Sequence, residues 1–125
     1  MYLLDTHTIL WYLAGDSKLS KKARDILDSN KSCYYSILSF WEIAIKQKLG
    51  KLDCKVSVSV IESTCIKAGF INVPILSSHI DTINLLPEIH KDPFDRLLIA
   101  QAISENLIII TKDEEIPKYS VKTLW

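Results

Sequence analysis

The chain has 125 residues, the size of one domain, and its 48% hydrophobic and 24% charged residues are ordinary for a globular core. Fifteen Lys and Arg balance fifteen Asp and Glu, which argues against a basic coat for nonspecific nucleic-acid binding. No apolar run approaches the eighteen or so residues of a membrane span; Leu107–Ile110 is typical of the runs present. Met1–Asp5 has no basic segment and carries an acid at once, unlike a secretory leader. Cys33, Cys54 and Cys65 lack CxxC spacing and read as idle thiols of a reducing compartment, so the expected location is the cytoplasm.

In chain order, residues 2–5 form a short apolar strand ending in an acid. Residues 7–13 carry Ile9, Leu10 and Leu13 at helical spacing and stop at Gly15. Ser20 opens an amphipathic helix with Ala23, Ile26 and Leu27 on one face, closing near Asn30. Residues 32–37 favour a strand, and Ser39 opens a helix running to Gly50. Residues 56–68 form a helix ended by Gly69, although Val56, Val58 and Val60 alternate as in a strand. A short strand at 70–73 stops at Pro74, and a helix spans 78–86 before Pro87. Pro93–Asn106 is the clearest helix, Leu107–Thr111 the clearest strand, and 121–125 a last strand. Gly15, Gly50 and Gly69 each suit the left-handed position after a helix.

Strands therefore alternate with helices, and strands such as Leu107–Ile110 are apolar on both faces. The expected fold is α/β: a three-layer α/β/α sandwich, 1–125 as one domain, around a mostly parallel sheet of about five strands. In such sheets ligands bind beyond the carboxyl ends of the strands. Asp5 and Asp113 follow two strands, Glu42 lies early in the helix after the second strand, and Asp92 and Asp95 flank the start of the Pro93 helix.

Each acid has an ordinary explanation. Asp5 suits a cap after a strand, and Ser39-Phe40-Trp41-Glu42 matches a capping box. Glu42 and Lys46 suit an i,i+4 pair, and Asp92 an N-cap before Pro93 at the first helical position. Asp95 suits the helix dipole, and Asp113-Glu114-Glu115 a solvated loop. Two details weigh against this set. Asp95 heads the apolar stripe of Leu98, Ile99 and Ala102, and Glu42 has apolar neighbours on both sides. Carboxylates directed inward need compensation. With no set of lysines or arginines placed at these strand ends, a divalent cation with oxygen ligands supplies it, Mg²⁺ or Mn²⁺ fitting best.

Other chemistries have weaker marks. His7, His79 and His90 lack zinc-ligand spacing, and His90, near the acids, reads as a surface-turn histidine sooner than as a group that supports the site or meets substrate. No phosphate-binding glycine loop and no serine elbow occur. Trp11, Trp41 and Trp125 read as core or interface rather than as a stacking platform. Lys46, Lys48, Lys51 and Lys55 fit equally a solvated face and a contact to a phosphate backbone.

Four segments carry a family resemblance: Tyr2-Leu3-Leu4-Asp5-Thr6-His7, Ser39-Phe40-Trp41-Glu42-Ile43, the His90–Ala102 stretch containing DPFDRLLIAQA, and Leu107–Asp113. Together they resemble the four acidic motifs of PIN-domain nucleases, in the order and spacing of VapC toxins from bacterial type II toxin–antitoxin pairs. The resemblance implies a metal-dependent ribonuclease whose catalytic and metal-holding quartet is Asp5, Glu42, Asp95 and Asp113. It gives Thr6, Asp92 and Thr111 supporting places around that quartet. Lys46, Lys48 and Arg96 are the candidate RNA contacts. It further implies a homodimer and a cognate antitoxin that blocks the site. The competing readings are a receiver-type phosphoacceptor domain, a housekeeping PIN nuclease without an antitoxin, and a noncatalytic PIN module. The receiver reading needs an acidic pair after the first strand and an aspartate ending a mid-chain strand, whereas Asp5 stands alone and Asp53 has no apolar strand before it.

Overall fold

The computed structural model describes residues 1–29 and 32–125. Its five strands are β1 (Tyr2–Leu4), β2 (Cys33–Tyr35), β3 (Ile71–Asn72), β4 (Ile108–Ile110) and β5 (Thr123–Leu124). They form one sheet in the order β3-β2-β1-β4-β5, with every pairing parallel. The helices are α1 (Thr6–Ala14), α2 (Lys21–Asp28), α3 (Ile37–Lys48), α4 (Val58–Lys67), α5 (Ser77–Ile83) and α6 (Pro93–Glu105), with a 3₁₀ turn at Ile116–Lys118. This is the expected α/β/α sandwich with five parallel strands.

Period-two alternation distributes the strand side chains between two cores. Leu4 and Ile110 pack on one side with Ile9 of α1, Ala23, Ile26 and Leu27 of α2, Ile43 of α3, and Ile61 and Cys65 of α4. Leu3 and Ile109 pack on the other with Leu98, Ile99 and Ala102 of α6, Ile116 and Tyr119. There α5 lies against α6. All four strand residues are fully buried, each contributing about 1.5–3 kcal/mol of apolar burial. With helices on both faces, the strands have no polar side to show, which is why they read as continuous apolar runs.

The chain departs from β1 to β2 and β3 in one direction, and β4 and β5 lie in the other. The switch point falls between β1 and β4, where a crevice opens at the carboxyl ends of the strands. Leu3 faces Ile109 and Leu4 faces Ile110 in the parallel register, so Asp5 and Thr111 emerge side by side.

Local signals place most boundaries. Ser20 caps α2 by accepting from Ala23 N, as expected. Gly15 ends α1 at φ +64° and Gly69 follows α4 at φ +87°, and Asn106 ends α6 in the same left-handed region at φ +54°. The Val56–Val60 alternation does not make a strand; α4 begins at Val58. The expected end of α2 near Asn30 lies outside the described residues. One start is corrected: α3 begins at Ile37, not after Ser39, and its N-cap is Ser36, whose Oγ accepts from Leu38 N. Ile37 and Leu38 resemble a continuation of the Tyr34-Tyr35 strand, but the buried Ser36 hydroxyl turns the chain two residues earlier. Ser39 is therefore inside the helix, fully buried, and the Ser39–Glu42 capping box does not form. No helix among the described residues is long and apolar enough to cross a membrane.

Candidate active site

A cavity of about 530 Å³ opens at the switch point. Asp5, Glu42, Asp92, Asp95, Asp113 and Glu114 all line it, together with Thr6, Lys46 and His90. All four acids of the expected quartet thus reach one space. Their placement follows from the elements that carry them. Asp5 is the N-cap of α1: its Oδ1 accepts from His7 N at 2.8 Å and Thr8 N at 3.2 Å. The capping explanation is correct for that oxygen, which leaves Oδ2 to accept from Thr111 Oγ1. Thr111 Oγ1 also accepts from Asp113 N at 3.0 Å, so one hydroxyl ties the ends of β1 and β4 together.

Glu42 is buried on α3, and both of its oxygens are engaged. Thr6 Oγ1 donates to Oε1 at 2.7 Å and stands 3.0 Å from Ser39 Oγ. Lys46 Nζ, one turn on, donates to Oε2 at 2.7 Å. The sequence reading placed no set of cations beside these acids, and here the helix supplies one lysine to one acid. Lys46 is itself pulled down by burial, yet Glu42, Asp92 and Asp95 hold it above its usual range.

Asp92 caps α6 as expected, its Oδ1 accepting from Phe94 N and Asp95 N, with Pro93 at the first helical position. Asp95, on the first turn of α6, is pushed up to about 7. Burial is the largest cause, followed by the charges of Asp92, Asp5, Glu42 and Asp113. Burial also raises Asp5, against the hydrogen bond from Thr111 and the charge of His7.

The residue that sequence reasoning misplaced is His90. It is not a surface-turn histidine: its Nε2 stands 2.8 Å from Asp95 Oδ2 and 3.9 Å from Asp113 Oδ2. Nδ1 accepts from Asp92 N at 3.4 Å, which assigns the proton to Nε2 and makes Asp95 its acceptor. His90, Asp95 and Asp113 bring side-chain N and O atoms within 4.8 Å of one another. The only sequence cue was proximity to DPFD; the turn that folds the ring back over α6 is not visible in periodicity.

Two expected RNA contacts do not reach the cavity. The Arg96 guanidinium is bound to the carbonyls of Ile83, Pro87 and His90 and to Tyr119 Oη, so it fastens the loop before α6. Lys48 is exposed on the last turn of α3 and is absent from the cavity lining. The cysteines have no place in the site either: Cys33 and Cys65 are buried, and burial raises both thiols, Cys65 to about 11.

A profile of the PIN domain matches residues 2–122. The chain belongs to the PIN-domain family. No curated protein matches it significantly in sequence. Solved structures share the fold of this PIN domain at low identity. VapBC2 from Rickettsia felis, bound to a DNA fragment from its promoter, aligns with a TM-score of 0.73 at 13% identity, over 98% of this chain and 96% of that one. FitAcB from Neisseria gonorrhoeae aligns at 0.68 and 17% identity, over 100% and 97%. A toxin–antitoxin complex from Klebsiella pneumoniae aligns at 0.67 and 16% identity, also over 100% and 97%. The family resemblance read from the four motifs is therefore met across nearly the whole chain.

A second concave surface is chemically different. Ile37, Leu38, Phe40, Trp41, Ala44, Val58 and Ile75 line an apolar groove of about 480 Å³ between α3 and α4. Trp41 is 65% exposed there and meets Phe94 edge-on at 5.2 Å, beside the first turn of α6.

Proposed function

We propose that residues 1–125 act as one domain, a Mg²⁺- or Mn²⁺-dependent endoribonuclease and the toxin of a type II toxin–antitoxin pair. The observation that carries this reading is the convergence of Asp5, Glu42, Asp95 and Asp113 on one cavity, where mutual repulsion and burial hold Asp95 near 7. The carboxylate donor set suits a hard divalent cation, Mg²⁺ or Mn²⁺, with His90 hydrogen-bonded to Asp95 rather than offering a free nitrogen. Asp95 and Asp113 are the main metal-holding pair, Asp5 Oδ2 and Glu42 complete the acidic wall, and His90 Nε2 stands beside them. When bound, the cation lowers the pKa of a water and neutralises charge on the scissile phosphate. One of the carboxylates takes the proton of the attacking water. Thr6 and Thr111 orient Glu42 and Asp5, and Asp92 holds the helix that presents Asp95. Of the expected RNA contacts Lys46 alone lines the cavity, its ammonium paired with Glu42.

The partner reading is supported by the apolar groove and by neighbours that are toxin–antitoxin complexes. A cognate antitoxin seated on Ile37 and Trp41 would adjoin the acidic cavity through the Trp41–Phe94 contact and close it. The homodimer and the cytoplasmic location complete the toxin reading. The receiver alternative loses its support, because Asp53 is exposed in a loop and ends no strand.

The test is cleavage of structured RNA by purified protein with Mn²⁺, with Mg²⁺ and with chelator. Cleavage only with the cations is expected, and equal cleavage in chelator overturns the metal role. Asp92→Asn is expected to keep most activity, since asparagine also caps helices well. Growth arrest on expression, relieved by a small neighbouring gene product, is expected; cleavage without arrest returns the housekeeping alternative.

A further inference from the structure

An acidic cavity repels a polyanion, so beyond the phosphate at a bound cation, holding a nucleic acid needs cationic and aromatic groups beside the acids. Two lysines line it, Lys46 and Lys112. Lys46 is tied to Glu42, whereas Lys112 forms no salt bridge among the described residues. The Lys112 Nζ stands 6.0 Å from the centre of the Trp11 ring. His7 and Trp11 also line the cavity and lie one turn apart on α1, with ring centroids 5.4 Å apart and planes inclined by 35°. Trp125 braces Trp11 edge-on at 5.8 Å. Packing on Trp125 and the core accounts for the half of Trp11 that is buried. It does not account for the exposed His7 ring and Lys112 ammonium placed against the half-buried indole. Both are chained to the acids: His7 N donates to Asp5, and Lys112 lies between Thr111 and Asp113.

We propose that His7, Trp11 and Lys112 form a ledge that binds the nucleotide next to the scissile phosphate, its unpaired base stacking on the two rings and its phosphate meeting Lys112 Nζ. The inference rests on the nuclease reading and names its substrate class: single-stranded nucleic acid, or a splayed loop within a folded one. Stacking reads any base through its π face, so the ledge confers position and strand form rather than base identity.

The experiment is a fluorescence titration with Mn²⁺, using the cleavage-silenced Asp95→Asn protein and three probes: an eight-nucleotide single-stranded RNA, the same RNA with one abasic position at each site in turn, and its duplex. The single strand is expected to quench tryptophan emission, one abasic position to weaken binding by about 5- to 100-fold, and the duplex to bind weakly. Trp11→Phe should keep the affinity within about threefold and remove most of the quench, because phenylalanine still stacks. In otherwise wild-type protein, Lys112→Ala and His7→Ala alter exposed side chains, so folding is retained; each should raise KM with little change in kcat. Unchanged KM in both, or abasic and duplex probes that bind as well as the intact strand, overturns the ledge even if cleavage is robust. Quenched, abasic-sensitive binding without any cleavage by the wild type keeps the ledge and overturns the nuclease.

Discussion

Two histidines of this chain make nearly the same hydrogen bonds and end in different chemistry. His79 accepts from Leu76 N at Nδ1, 3.0 Å, and its Nε2 meets Glu105 Oε1 at 2.8 Å. His90 accepts from Asp92 N at Nδ1, and its Nε2 meets Asp95 Oδ2 at the same 2.8 Å. In each a backbone amide donates to Nδ1 and so fixes the tautomer, and Nε2–H donates to a carboxylate. The difference is in the surroundings. His79 is fully buried and joins the start of α5 to the last turn of α6, with one carboxylate that is 41% exposed. His90 lines a cavity where Asp113 approaches the same nitrogen and four acids raise its partner. A histidine–carboxylate pair is thus a plain fastening at His79 and part of a charged candidate site at His90, according to how many further charges share its space.

The sharpest break of this comparison removes the carboxylates. Asp95→Asn is expected to lower RNA cleavage by at least about two orders of magnitude, the scale of losing a catalytic group. Glu105→Gln keeps a hydrogen-bond acceptor for His79 and should leave kcat unchanged. Comparable losses in both would erase the distinction. Removing the rings should reverse the order. His79→Ala strips a buried side chain and orphans Leu76 N, at about 3 kcal/mol, so the melting temperature should drop by roughly 10 °C. His90→Ala should cost about 1 kcal/mol or less, while changing the Mn²⁺ concentration needed for half-maximal cleavage. A stability loss at His90 equal to that at His79 would make it another fastening.

The smallest effect concerns pH in the metal-free protein. Asp95 is pushed from 3.8 to about 7, so between these values the folded chain holds a proton that the unfolded chain has released. Its contribution to stability is greatest at the acid end of that window, declines as pH rises, and levels off above about pH 7. In chelator, the wild-type melting temperature should therefore fall between about pH 5 and about pH 8, and Asp95→Asn should flatten part of that fall. At about pH 8 the variant should melt a few degrees above the wild type. A variant that melts lower, with an unchanged response to Mn²⁺, would assign Asp95 to the helix dipole alone.

The fold and the candidate site were legible to different depths. Apolar runs bounded by Gly15, Gly69, Pro74 and Pro93 placed the alternating elements, because these residues act locally on the backbone. The strand-end rule then placed Asp5 and Asp113, since it needs only the topology. Ser36 was missed because a buried serine after Tyr34-Tyr35 looks the same in a strand as in a cap. Arg96 was misread because its charge says nothing of the three carbonyls it meets, all on residues earlier in the chain. His90 and the Trp11 wall depend on how a turn and a helix face each other, which leaves no period in the sequence.

The Thr111 bridge has a consequence for the order in which a growing chain acquires its parts. Asp5 and Thr111 are 106 residues apart, and Asp113 comes later still. On a ribosome the first acid is made early, yet the cavity cannot close until β4 has emerged and slid in beside β1. A nascent or prematurely released chain that ends before Thr111 lacks the second side of the pocket. The long separation in sequence thereby makes the pocket a property of the finished fold, complete only when the last acid arrives.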